Sequence, residues 1–236
     1  KSSGDIINKK KFSQIMLDDL RLKIENYSYI EDSKITNNNI IYFGKSKINS
    51  DYSIINNEIF FNSVNSKIFN NKMNFIGKID LNPFNLNLNL NLERFNQKDV
   101  KKISPIIFEL INTGLFFNKN LSVNISLICE NFINNRLFDS THILMNFDSG
   151  KINFDKSKLI NEKFGSLQME STDLFINNGE LILTGNFNLN IENQKKFYRI
   201  FQTPKQNRFE IKDIFFNVFF NIFRNKIKIM NVKFNN

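Results

Sequence analysis

Apolar residues recur along this chain in short bursts, roughly every 8 to 15 residues, separated by Asn pairs or by Asn-Gly and Ser-Gly steps. That spacing predicts antiparallel strands joined by hairpins. Asn56-Asn57, Asn70-Asn71, Asn134-Asn135, Ser149-Gly150 and Asn177-Asn178-Gly179 are the predicted turns, because Asn and Gly tolerate the left-handed backbone that a tight turn demands. The clearest alternation runs from Leu81 to Glu93. Phe84, Leu86, Leu88, Leu90 and Leu92 share one parity, and Asn85, Asn87, Asn89 and Asn91 share the other. A pleated strand sorts the two sets onto opposite faces, whereas a helix would smear them around its surface. At about 3.3 Å per residue this segment reads as one strand of roughly 40 Å.

Weaker alternations follow at Leu121, Val123, Ile125 and Leu127, at Leu181 and Leu183, and at Phe187, Leu189 and Ile191. The last one carries Ile227 and Ile229 and then, past a shift in phase, Val232 and Phe234. Two short helices interrupt the strands. Ser104-Pro105 reads as an N-cap with proline at the first helical position, followed by Ile106, Ile107, Leu110 and Ile111 and closed by Gly114. A second helix is expected around Asn193 to Gln202, with Phe197, Ile200 and Phe201 on one side and Pro204 beyond its end. The expected fold is mainly β: a long antiparallel twisted sheet curled into an open groove or half-barrel, with two short helices, over residues 1–236 as a single elongated domain. Its first dozen residues are expected to fray.

Composition supports the β class. The chain has 27 Phe, 0 Trp and no Ala, and Ile and Phe favour pleated sheets while Ala is the best helix former. An AT-rich coding bias would give the same excess of Ile, Phe, Asn and Lys, so composition alone does not speak to function. The formal charge is +9. The lysines are scattered and arginines are few, which argues against a nucleic-acid site built from clustered Arg and exposed aromatics.

Candidate chemistry is sparse. The single Cys129 sits in the apolar run Leu127-Ile128-Cys129 and reads as a small buried hydrophobe. The single His142 lies in a polar context with no second His or Cys nearby in sequence, which does not make a zinc site. Asp18-Asp19 and Glu31-Asp32 are adjacent pairs, whose side chains point to opposite faces of a strand and so do not share a substrate. Scattered glycines form no phosphate-binding loop. No run of 18 or more apolar residues is present. The residues point to no enzyme and no cofactor.

From Phe75 to the end the chain resembles the C-terminal part of AsmA-like proteins, bacterial relatives of bridge-like lipid transfer proteins built from repeating β-grooves. The resemblance rests on Gly77-Lys-Ile-Asp-Leu-Asn-Pro-Phe84, on Asn178-Gly179-Glu-Leu-Ile-Leu-Thr-Gly185-Asn-Phe187, and on Phe197-Tyr-Arg-Ile-Phe201-Gln-Thr-Pro204 followed by Phe209-Glu-Ile-Lys-Asp-Ile214. It implies a periplasmic protein, anchored in the inner membrane by a segment upstream of this chain, whose apolar sheet face holds phospholipid acyl chains. The floor would be Phe84, Leu86, Leu88, Leu90, Leu92, Leu121, Val123, Ile125, Leu127, Leu181, Leu183, Phe187, Leu189 and Ile191. Three alternatives fit the same alternation: a dry two-sheet sandwich, a scaffold that presents sheet edges to outer-membrane proteins, and a transmembrane barrel, the last weakened by the absence of Trp.

Overall fold

The computed structural model describes residues 2–7, 10–18, 21–31, 34–69, 71–96, 98, 99, 108, 109, 111 and 113–235. The chain is mainly β, as the alternation predicts, and its contacts divide it into two compact units, Lys1–Phe95 and Asn96–Asn236.

Unit 1 is a meander of β1 (Ser2–Ile7), β2 (Lys10–Leu17), β3 (Leu22–Glu31), β4 (Lys34–Phe43), β5 (Ser46–Ile55), β6 (Glu58–Ile68), β7 (Asn71–Leu81) and β8 (Phe84–Leu92), each strand antiparallel to the one before it. The expected long strand from Leu81 to Glu93 is two strands. Leu81 closes β7 and pairs with Phe84, the cis Asn82–Pro83 step makes the turn, and β8 is 9 residues long. Proline has no N–H for a ladder bond, which is why the strand breaks there. Ser2–Ile7 forms a strand paired with β2.

After β9 (Phe95–Asn96), unit 2 contains β10 (Val123–Cys129), β11 (Phe132–Ile133), β12 (Ser140–Asp148), β13 (Lys151–Asn153), β14 (Lys158–Asn161), β15 (Gly165–Asn177), β16 (Glu180–Ile191), helix α1 (Gln194–Ile200), β17 (Asp213–Asn221) and β18 (Lys226–Asn235). Its main sheet runs β10-β12-β13-β15-β16-β17-β18, and β14 pairs with both β12 and β15. The hairpin turns at Ser149-Gly150 and Asn178-Gly179 have positive φ at both central residues, as their composition predicts. Asn193 caps α1 through its side-chain oxygen, which accepts from the Lys196 N–H at 3.1 Å. The first predicted helix falls largely outside the described residues, Ser104-Pro105, Ile106, Ile107 and Leu110 included. Its end is helical at Phe108, Glu109 and Ile111 and stops at Gly114, whose φ is 71°.

Three bulges re-phase the strands. β6, β15 and β18 each insert one extra residue against a neighbour, with left-handed backbone at Asn65, Ser171 and Asn231. The third is the phase shift visible in the sequence between Ile229 and Val232. A bulge sharpens the local twist and moves the following side chains to the opposite parity. Fully buried hydroxyls mend the ladder beside two irregularities in the same way. Ser66 Oγ accepts from the Asn49 N–H at 2.8 Å and donates to the Asn49 carbonyl at 3.0 Å. Ser157, in the break between β13 and β14, does the same for Leu144 at 2.9 and 3.1 Å. Each hydroxyl stands in for a missing strand residue, so that no backbone group is left orphaned there.

Ser66→Ala and Ser157→Ala are therefore each expected to lower stability by about 1–3 kcal/mol, because a buried N–H and C=O lose their partner together. Urea unfolding checks this, with Ser149→Ala at an exposed turn expected to change stability by less than about 0.5 kcal/mol.

Candidate functional site: one apolar face in each unit

Register decides which side chains share a face. In unit 2, Val123, Ile125, Leu127 and Cys129 of β10 lie opposite Phe147, Met145, Ile143 and Thr141 of β12. Leu181, Leu183, Phe187, Leu189 and Ile191 of β16 lie opposite Ile176, Leu174, Met169, Leu167 and Gly165 of β15 on one side. On the other side Leu183, Phe187 and Leu189 meet Phe220, Phe216 and Ile214 of β17. Phe187 and Phe216 stack across the strands, with ring centroids 5.6 Å apart. All the unit 2 candidates that lie in strands thus fall on one face. Leu121 does not, because it precedes β10 in an irregular segment.

The two ends of this face are covered. At one end Phe164, Phe197, Tyr198, Ile191 and Ile211 form a buried cluster against which Leu189 and Ile214 pack. Tyr198 fixes it by donating its hydroxyl to the Phe209 carbonyl at 2.5 Å. At the other end the short 3-10 turn Leu115–Phe117 sets Phe116 on Phe147, centroids 5.7 Å apart, beside buried Val123 and Ile152. Between the covers, Ile125, Leu127, Ile143, Met145, Leu167, Met169, Leu174, Leu183, Phe216 and Phe220 are only half-buried. Leu189 and Ile191, expected on the open floor, belong instead to the core under α1, since an amphipathic helix must bury its own apolar stripe. Val123, Leu181 and Phe187 are buried, and Phe201, expected on one side of the helix with Phe197, packs on Phe197 with ring centroids 4.7 Å apart while remaining 48% exposed.

The opposite face mixes paired polar side chains with Leu144, Phe175, Ile182 and Phe219, and the buried side-chain oxygen of Asn188 on it has no partner. Amides pair across the strands at Asn124–Asn146 (2.7 Å) and Asn186–Asn217 (2.5 Å), and amides donate to carboxylates at Asn153–Asp173 (2.9 Å) and Asn190–Asp213 (3.0 Å). His142 lies on it, 3.0 Å from the Ser126 hydroxyl. Cys129, on the apolar face, is buried, and that burial pushes its thiol up from the ordinary range.

Unit 1 repeats the arrangement. Phe84, Leu86, Leu88, Leu90 and Leu92 face the same way as Leu81, Ile79, Gly77, Phe75 and Met73. Leu92 and Met73 are buried, Leu86, Leu88 and Leu90 are half-buried, and Phe84 is exposed at the turn. The reverse face carries the charges. Lys78 lies 2.9 Å from Asp80 and 2.7 Å from Glu58, and these carboxylates hold its ammonium above the ordinary lysine value. A hollow of about 600 Å³ is lined by Tyr27, Asp51, Phe60 and Ile76 of that reverse face and also by Asn37, Tyr52 and Phe61 of the other parity.

Within each unit the described main strands follow one hydrogen-bonded order. Sequence reasoning missed half of the unit 2 floor. Leu167 and Met169 change parity to Leu174 and Ile176 across the bulge at Ser171, and that phase change is the signal that could have found them. β17 reads apolar on both faces, and β12 puts Leu144 among the polar residues, so neither shows a clean alternation.

Among the described residues no three His, Cys, Asp or Glu side chains are grouped to hold a metal ion, and no helix is long and apolar enough to cross a membrane. No family model, curated protein or solved structure matches the chain.

An open floor predicts a contrast between two aspartate substitutions. Leu181→Asp, 1% exposed in the wild type, is expected to destabilise by at least about 3 kcal/mol. Ile125→Asp, which keeps access to water, is expected to stay below about 1.5 kcal/mol. Equal losses in chemical unfolding would mean that the floor is sealed.

Proposed function

We propose that this chain is a non-enzymatic lipid-binding or lipid-transfer module that holds phospholipid acyl chains on the apolar faces of its sheets. The observation that carries the reading is the half-buried floor of unit 2 between α1 and the Phe116 cover, with polar pairs such as Asn124–Asn146 and Asn186–Asn217 on the reverse face. Burial of each methylene is worth about 0.8 kcal/mol, so ten of them on such a floor contribute roughly 8 kcal/mol without any specific polar contact. A floor that discriminates little along its length lets a chain slide. The resemblance to AsmA-like proteins supports a place in the bacterial periplasm, tethered to the inner membrane by an upstream segment and serving outer-membrane lipid homeostasis. Head groups would remain in water, where lysines at the rim meet phosphate.

A second reading, a scaffold for outer-membrane proteins, is favoured by one feature. β18 ends the described strand order of unit 2, and all 10 of its residues are exposed, Ile227 and Ile229 among them. Such an edge suits strand addition by a client.

The lipid reading expects purified protein to carry phospholipid detectable by mass spectrometry and to move it between liposomes. Met145→Asp and Phe216→Asp are expected to cut transfer at least about tenfold, the equivalent of two methylenes of lost contact. No co-purified lipid and no transfer by folded wild-type protein would overturn it. Cross-links from Met230 to a barrel protein, in place of lipid, would favour the scaffold.

A further inference from the structure

The apolar face of unit 1 is interrupted. On β3, β4 and β5 its two central rows are Asn26, Asn39 and Ser50, and Ser28, Asn37 and Tyr52, register partners across three strands. Isoleucines bracket them, with Ile24, Ile41 and Ile48 in the row on one side and Ile30, Ile35 and Ile54 in the row on the other. The corresponding face of β7 and β8 carries Phe75 and Leu90, then Gly77 and Leu88. Polar side chains thus replace hydrocarbon across the middle of this face on three strands, and the rows continue onto β2 as Ser13 and Lys11.

Two amides in this patch are unmatched. Asn37 is 7% exposed, yet its side-chain nitrogen has no partner, and the buried side-chain oxygen of Asn39 has none either. Their neighbours have paired with one another. The Tyr52 hydroxyl donates to Asn26 Oδ1 at 3.1 Å, and Asn26 Nδ2 donates to Ser28 Oγ at 2.8 Å. Because β4 lies between β3 and β5, the Tyr52–Asn26 bond reaches across the strand that carries both unmatched amides. Buried polar groups without partners are uncommon, and each one asks for a group to meet it. A donor on Asn37 and an acceptor on Asn39 are satisfied together by a hydroxyl, which accepts and donates at once.

We infer that this patch is a subsite for a hydroxyl-bearing lipid, whose hydroxyl meets Asn37 and Asn39 while its chains lie along the flanking isoleucines. This rests on the lipid-binding reading and narrows its substrate class. The chemistry is common to the free hydroxyl of a diacylglycerol and to the sugar of a glycosyl-diacylglycerol. Lys11 of β2, the register partner of Ser28, adds a cation at the end of one of these rows, so what the patch selects is the hydroxyl and not the net charge of the lipid.

The test uses the full chain, mixed with vesicles of phosphatidylcholine containing diacylglycerol in one arm and glycosyl-diacylglycerol in the other. Lipid bound after gel filtration is quantified by mass spectrometry. Wild type is expected to enrich at least one hydroxyl lipid over its vesicle fraction by about fivefold, the size of one net hydrogen bond. The arm that enriches identifies the source. The double variant Asn37→Leu, Asn39→Leu is expected to bind the same total lipid with enrichment near one, and its enrichment is expected not to have depended on pH between about 6 and 8 in the parent, because no group of the patch titrates there. The single variants repeat the comparison if the double variant does not fold. Wild-type binding at the vesicle ratio, or enrichment that survives the substitutions, overturns the subsite while leaving lipid binding intact, and leaves water as the partner of the two amides. Wild-type protein that takes up no lipid of either kind overturns both.

Discussion

The antiparallel register is the constraint on which both units depend. Side chains alternate with a period of two, so a slip of one residue in any pairing would carry an entire apolar set to the wrong face. The ladders hold the register where they are regular. Where they are not, the extra residue at Asn65, Ser171 or Asn231 takes a left-handed backbone and re-phases the strand, so that Leu174 and Leu183 continue the face that Leu167 and Leu189 began. Ser66 and Ser157 complete the hydrogen bonding beside the irregularities. The apolar face follows from these backbone arrangements as much as from the leucines themselves.

A sheet with one apolar face has to bury it or use it. Here the ends of the unit 2 face are buried by two elements that are not strands, α1 and the Phe116 turn, whose aromatic side chains reach across strand ends. The middle is left half-buried and contains no titrating group among Ile125, Ile143, Met145, Met169 and Phe216. The chemistry such a surface can do is restricted to the hydrophobic effect, which is proportional to area and indifferent to detail. That suits a guest defined by its hydrocarbon. The Asn37–Asn39 patch in unit 1 is the exception that adds a directional element to an otherwise uniform lining.

Much of this was legible in the sequence. Strand and turn follow from alternation and from Asn and Gly at positive φ, and even the bulge at Asn231 shows as a break between Ile229 and Val232. What was not legible has identifiable causes. The cis Asn82–Pro83 turn lies inside a perfect alternation, because Leu81 and Phe84 pair across it and keep the pattern on the same face. β12 and β17 mix apolar residues on both faces, so their inward sets emerge only from pairing with β10 and β16. That Leu189 and Ile191 are covered by α1 depends on where the helix folds back, which periodicity within a strand does not encode.

The central claim is that one face of β12, and not the other, meets lipid. A photoreactive amino acid placed in turn at His142, Ile143, Leu144, Met145 and Asn146, in protein mixed with labelled phospholipid vesicles, reads this directly. The account predicts adducts at Ile143 and Met145 with little at the three positions between and beside them. Equal labelling at all five, or none at Ile143 and Met145, would contradict it.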